Sequence, residues 1–235
     1  MTVETETLRE LITPVRFVLW DLDGPICRLF FGHPSHQVAV DLVRQIERRG
    51  LGGKLTERER RDPDPLAVLR GLGRRHPSSD LIADLEEWLT QQELVAAPKA
   101  FPTPYADPLI RTWSNRARFA VTTNNSALAA TRYLDTRGLT GCFPYVYGRT
   151  RNLDLMKPHP HTLRQALSAM GADPSLTLMI GDTPTDFEAA EQAGVPFLGY
   201  ARRQEKRDAL KAAHVPPHRI VSSMKPVLDV VKKRD

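Results

Sequence analysis

The chain carries only two cysteines, Cys27 and Cys142, far apart and without the spacing of metal ligands, which argues against both a disulfide framework and a zinc site. No stretch approaches the roughly 20 apolar residues that a membrane-spanning helix needs. Aromatic residues make up 7% and do not interleave with the basic ones, so the stacking platform of a nucleic-acid binder is missing. There is no internal repeat and no low-complexity tract. The opening residues, Met1-Thr2-Val3-Glu4-Thr5-Glu6, are acidic and polar, with neither the basic start nor the apolar centre of a secretory signal. These absences lead us to expect a cytoplasmic protein with no membrane and no nucleic-acid partner; the oligomeric state stays unknown.

What is present is ordinary for a globular protein: 235 residues, 41% hydrophobic and 26% charged. The length suffices for one full domain plus a small one. The net charge is +5 and the pI about 9.4. Most basic residues are scattered among acids, as in Glu57-Arg58-Glu59-Arg60-Arg61-Asp62, and residues 29–106 hold 11 of each sign. The longest basic run is Lys232-Lys233-Arg234. A mild positive excess of this kind suits anionic small molecules.

The apolar run Phe17-Val18-Leu19-Trp20 reads as a buried strand that stops at Asp21-Leu22-Asp23-Gly24. In open α/β sheets the C-terminal edge of the strands is where active sites lie. Two carboxylates two residues apart repel each other unless a cation or proton intervenes, and Gly24 allows the chain to turn at once. The pattern points to a divalent metal and phosphate chemistry.

From residue 107 onward strand-like and helix-like segments alternate. Phe119-Ala120-Val121-Thr122, Tyr145-Val146-Tyr147, Leu176-Thr177-Leu178-Met179-Ile180, Phe197-Leu198-Gly199 and Arg219-Ile220-Val221 read as strands. Helices are expected from Ser126 to Thr136, from Pro160 to Gly171, from Asp186 to Ala193 and from Ser223 to Val231. Such alternation implies a parallel sheet covered on both faces. Residues 29–106 differ. Helices capped by Ser35 and Ser79 are expected there, with a short one from Asp64-Pro65 to Leu69, and Pro98, Pro102 and Pro104 mark an extended return segment. No strand is evident in this stretch, so it reads as an all-helical insert between the first and second core strands.

Four segments fall at strand ends or helix starts: Asp21 to Gly24, Thr122-Thr123-Asn124, Lys157-Pro158, and Gly181-Asp182-Thr183-Pro184-Thr185-Asp186. Each alone is a turn, a cap or a surface dipeptide; their order and strand context make them a set of roles. As a set they resemble the haloacid dehalogenase-like hydrolase superfamily over roughly residues 15–30 and 105–200. The resemblance matches Asp21 to Gly24 with the family's Asp-x-Asp-Gly motif and Thr123-Asn124 with its Thr/Ser motif. It matches Lys157 with its Lys before Pro, and Gly181, Asp182 and Asp186 with Gly-Asp-x-x-x-Asp. It implies an α/β fold, a three-layer Rossmann-like parallel-sheet core formed by residues 1–28 and 107–235. A small all-helical cap of the C1 type, residues 29–106, is inserted after the first core strand.

The resemblance further implies a Mg²⁺-dependent phosphatase. Oxygen ligands suit Mg²⁺; Asp21, the backbone carbonyl of Asp23, and Asp182 are the expected metal set. Asp21 is the expected nucleophile, forming an aspartyl phosphate, and Asp23 the general acid and base. Thr123, Asn124 and Lys157 are the expected phosphate binders. Asp186 is expected to orient Lys157 or metal-bound water from behind the ligands. Members that cleave carbon–halogen bonds lack an acid at the position of Asp23, so its presence favours phosphoryl transfer, with a small phosphate ester as the expected partner. Pro25 departs from the usual Thr after the motif's Gly and removes one backbone N–H.

Arg28, Phe30 and Phe31, just past the nucleophile turn, are the substrate-contact candidates. Cys27 is expected to be a packed thiol, since no base stands beside it. His33, His36, His159 and His161 are expected at helix starts on the surface, and Trp88 and Trp113 in the core. The alternatives are a phosphomutase on the same core, or a non-catalytic module that accepts or binds a phosphoryl group. Receiver domains, which also combine aspartates, Mg²⁺, Thr and Lys, are much shorter and lack the insert.

Overall fold

Successive side chains of a strand face opposite sides of the sheet, and that alternation divides the core of this protein into two layers. The computed structural model describes residues 3–77 and 79–233. The elements run α1 (Val3–Ile12), β1 (Phe17–Trp20), β2 (Cys27–Arg28), α2 (Ser35–Arg48), α3 (Glu57–Arg61), α4 (Pro65–Arg75), α5 (Asp80–Ala96) and β3 (Phe101–Pro102). They continue with α6 (Ala106–Trp113), β4 (Arg118–Thr122), α7 (Ala127–Thr136), β5 (Tyr145–Tyr147), α8 (His161–Met170), β6 (Thr177–Gly181) and α9 (Pro184–Ala193). The last are β7 (Phe197–Tyr200), α10 (Gln204–Ala212), β8 (Ile220–Val221) and α11 (Lys225–Lys232).

Six strands form one parallel sheet in the order β5-β4-β1-β6-β7-β8, with β1 registered against β4 (Leu19 beside Ala120) and β6 (Leu19 beside Met179). Val18, Trp20, Phe119, Val121, Leu178 and Ile180 pack into one layer with α1, α6, α7 and α11. Leu19, Ala120, Met179 and Phe197 face the other way, against α8, α9 and α10. The result is a three-layer α/β fold with β1 at its centre. Trp20 and Trp113 are fully buried and meet edge to face at 6.5 Å, with Phe119 packed against both.

Helices α2, α4 and α5 close on a separate apolar cluster that includes Val38, Leu42, Ile46, Leu69, Leu72 and Leu85. Leu153 and Met156, from the segment between β5 and α8, extend this cluster into the core chain. At such sites truncation of Leu42 to Ala costs about 2–5 kcal/mol. Trp88 is only half-buried, contrary to the core position expected for it, because Ile82, Leu85 and Leu89 take the inward face of α5.

Several local expectations differ from the structure. The sequence pattern gives no helix over α1; Leu8 and Ile12 bury in the core layer beside α11, and that tertiary packing stabilises an acidic segment. Met1 and Thr2 of that segment, and Arg234 of the basic run at 232–234, lie outside the described residues. The segment expected to contain no strand holds β3, which pairs antiparallel with β2 through only two residues on each side. Helix α4 runs to Arg75 rather than Leu69, because Val68, Leu69 and Leu72 all reach the cluster. Ser35 lies inside α2, whose N-cap is Pro34, and Ser79 makes no capping bond although it stands at the N-cap of α5. Cys27 is buried and free, as a packed thiol would be.

Candidate active site

Strand β1 ends at Trp20, and the Asp21 N–H still donates to the Ile180 carbonyl of β6 at 2.9 Å. The nucleophile candidate is therefore held at the sheet's C-terminal edge by the sheet itself. Gly24 then turns the chain with φ +114°, and its N–H donates to the Cys27 carbonyl. A Cβ at this position would lie 2.3 Å from Oδ2 of Asp182. Only glycine allows the loop after β1 and the loop after β6 to approach this closely. Thr103, in the return segment after β3, donates its hydroxyl to the Gly24 carbonyl.

Lys157 is 1% exposed. Its ammonium donates to Asp21 Oδ1 at 2.9 Å, to the Thr122 carbonyl at 2.9 Å and to Asp186 Oδ1, so all three hydrogens are used. Asp186 is engaged through both oxygens. Its other oxygen accepts from the N–H groups of Asp182 and Thr183 and from the Thr183 hydroxyl. Thr183 and Asp186 form a capping box at the start of α9, which fixes Asp182 at the tip of β6.

Burial works against the charge on Lys157, but Asp186 and Asp21 outweigh it and hold the ammonium above its ordinary pKa. Asp186 is likewise buried, yet Lys157 keeps its carboxyl below the usual range. For Asp21 burial wins over Lys157 and raises the carboxyl to about 6. Asp182 is raised to about 8 by burial, against the opposing pull of Lys206. Burial also raises Asp23, partly offset by the Leu29 N–H that its Oδ1 accepts at 2.8 Å.

Oxygens of Asp21, Asp182 and Asp186 lie within 4.8 Å of one another, all three residues buried. A donor set of carboxylate oxygens at this spacing, with two members pushed toward their neutral form, fits a hard divalent cation. Both oxygens of Asp186 accept hydrogen bonds, whereas Asp21 and Asp182 each have one oxygen outside their ion pairs with Lys157 and Lys206, so these two are the better placed to ligate. Lys206, on the first turn of α10, reaches Asp182 Oδ2 at 2.8 Å. It was not among the residues singled out from sequence, where it sits in a mixed-charge run without a motif.

Asn124 is placed differently from the expectation that its amide binds phosphate. Its Oδ1 accepts from the Lys157 N–H at 2.8 Å and its Nδ2 donates to the Lys157 carbonyl at 3.1 Å. Both ends of the amide thus hold the main chain of Lys157. Thr123 is buried beside them, and its hydroxyl donates to Asn125 Oδ1 at 3.3 Å.

These groups line a cleft of about 1320 Å³ between the sheet edge and the helical insert. Arg58, Arg70 and Arg74 line it from the insert, and Arg202 and Arg203 from the core. Such a wall draws anions. Arg70 reaches the Lys157 carbonyl at 3.2 Å. The three substrate-contact candidates also line the cleft. Arg28 lies over the rings of Phe31 and Phe101 at 4.5 and 4.8 Å, while Phe30 packs against both the core and the insert clusters. The histidines stay apart from this centre: His33 pairs with Gln92, and His159 and His161 flank the N-cap of α8. No helix among the described residues is long and apolar enough to cross a membrane.

A family model described as haloacid dehalogenase-like hydrolase matches residues 15–194. The probable phosphatase IndB of Dickeya dadantii (strain 3937) is 36% identical over 112 residues, a match spanning 46% of each chain. The phosphoglycolate phosphatase of Aquifex aeolicus (strain VF5) is 26% identical over 187 residues, 77% of this chain and 82% of that one. Among solved structures, a predicted phosphatase from Clostridium acetobutylicum matches with a TM-score of 0.68 at 16% identity, over 93% of this chain and 99% of the other. At that identity the likeness is one of fold.

Proposed function

The chain belongs to the haloacid dehalogenase-like hydrolase family, and on that premise we propose that it is a Mg²⁺-dependent phosphatase of small phosphate esters working through an aspartyl phosphate. The observation that carries this reading is the convergence of Asp21, Lys157, Asp182 and Asp186 in one buried cluster at the sheet edge. The phosphatase names of the relatives support it.

Asp21, Asp182 and the backbone carbonyl of Asp23 would hold the Mg²⁺, which when bound would neutralise charge between carboxylate and phosphate. The free oxygen of Asp21 attacks phosphorus as the ester P–O bond breaks. Asp23, whose raised pKa suits a proton donor, gives its proton to the leaving oxygen. It then takes a proton from the water that attacks the acyl phosphate, which releases phosphate and restores both carboxyls. Lys157 stays charged throughout and fixes the rotamer of Asp21. The Thr123 hydroxyl and the loop backbone bind phosphoryl oxygens.

Residues 29–106 act as a cap over residues 1–28 and 107–235, excluding bulk water and selecting the substrate. A panel of small phosphate esters assayed with Mg²⁺ tests the proposal. The expected result is one inorganic phosphate per ester consumed, abolished by chelation and restored by Mg²⁺. Transfer of the phosphoryl group to a sugar hydroxyl without phosphate release overturns it.

A further inference from the structure

Away from the reacting carboxylates, a second buried charge cluster joins the insert to the core. Glu93, near the C-terminal end of α5, is 0% exposed, and so is the Arg149 side chain that follows β5. Arg149 Nη1 donates to Glu93 Oε1 at 2.9 Å and to the Asn124 carbonyl at 3.0 Å. Its Nη2 donates to Glu93 Oε2 and to the Thr90 hydroxyl, and its Nε to Glu86 Oε1. Glu93 completes its own set by accepting from Asn125 Nδ2 at 3.0 Å and from the Ser126 N–H at 2.8 Å. Every donor of the guanidinium and both oxygens of the carboxylate are satisfied.

A buried ion pair is a poor device for stability, because desolvation offsets most of the attraction. What this one does is geometric. Asn125 Nδ2 is committed to Glu93, which fixes the amide orientation and aims Asn125 Oδ1 at the Thr123 hydroxyl. Arg149 holds the carbonyl of Asn124, the residue whose amide grips Lys157 at both main-chain positions. Lys157 in turn sets Asp21. One continuous chain of hydrogen bonds therefore runs from α5 of the insert to the nucleophile.

We propose that Glu93 and Arg149 are positioning residues that lock the loop 123–126 to α5 and so set the Thr123 hydroxyl for the phosphoryl group and the Lys157 ammonium for Asp21. The inference rests on the phosphatase reading for its kinetic consequence. Polar networks of this kind transmit small displacements, and misplacement by about 1 Å costs about 10²-fold in rate.

The test pairs Glu93→Met with Arg149→Met, singly and together. The single variants leave a buried charge unpaired and are expected to unfold at lower temperature. In the double variant both charges are gone, so the unfolding midpoint should recover relative to the singles. Turnover of an aryl phosphate should not recover, with kcat staying about 10²-fold below wild type. Backbone exchange at Asn125 and Ser126 should be faster than in wild type. A double variant whose kcat returns together with its stability, or whose loop exchanges at the wild-type rate, overturns the proposal.

If the double variant does not fold, Glu93→Gln takes its place. It keeps the shape but turns one acceptor into a donor, and the same drop in kcat with faster loop exchange is expected. A wild-type kcat and loop exchange rate in that variant overturn the proposal equally. Wild-type protein without any phosphate-ester turnover sinks the phosphatase reading instead; the exchange measurement needs no turnover and still decides the role of Glu93 and Arg149.

Discussion

The Lys157 ammonium lies 2.9 Å from Oδ1 of Asp21, although 136 residues separate the two in the chain. The contact joins the end of β1 to the segment before α8, and it leaves Asp21 one oxygen free to react. Asp21→Asn is therefore expected to abolish aryl phosphate turnover while leaving the fold intact, as read by steady-state kinetics and thermal unfolding. Lys157→Ala should do more: it leaves Asp21 and Asp186 buried without their cation and should lower stability by about 3–5 kcal/mol. An Asp21→Asn protein that keeps most of its activity would remove this residue as nucleophile.

Asp23 is expected to matter in proportion to the proton the leaving group needs. Asp23→Asn should lower kcat by about 10²–10⁴-fold on an alkyl phosphate. The loss should be much smaller on nitrophenyl phosphate, whose phenolate leaves without help. Equal losses on both substrates would contradict a general-acid role.

The raised carboxyls give a defined pH dependence to the stability of the metal-free protein. Burial raises the Asp182 carboxyl to about 8 and that of Asp21 to about 6 in the folded state, against about 3.8 for an unperturbed aspartate. Between about 4 and 8 the folded protein retains protons that the unfolded chain has released, so stability falls as pH rises through that window. On the proposed reading Mg²⁺ would bind the ionised carboxylates, so it should raise the melting temperature more at pH 8 than at pH 5. Melting curves with EDTA and with Mg²⁺ at both values check the sign; Asp182→Asn should flatten the EDTA series.

Gly24→Ala tests the approach of the loops after β1 and β6, the proposed Mg²⁺ site. The residue combines φ +114° with a Cβ path blocked by Asp182. We expect a loss of about 1–3 kcal/mol together with weaker Mg²⁺ binding, measured by titration calorimetry. Unchanged binding would show that the loops can separate without affecting the site.

The parts of this protein that were legible in its sequence are those with local physical signatures. Val18, Leu19 and Trp20 form an apolar run stopped by carboxylates, and Pro160 and Gly171 bracket α8. Helix α1 and the two-residue pairing of β2 with β3 were not legible. Their stability comes from contacts with distant residues, such as Leu8 on the core layer and Cys27 beside Pro102.

The candidate site divides along the same line. Asp21, Asp23, Thr123, Lys157, Asp182 and Asp186 stand out because each lies in a short motif that follows a strand or precedes a helix. The sequence by itself determined the alternation of elements and the chemical types available at the sheet edge, since period and turn chemistry act between neighbours in the chain. Only the tertiary structure decided that Asn124 serves Lys157, that Lys206 reaches Asp182, and that Glu93 and Arg149 meet beneath the loop. Those are choices of hydrogen-bond partner made after burial removes water, and a buried donor or acceptor takes whichever partner the packing brings within reach.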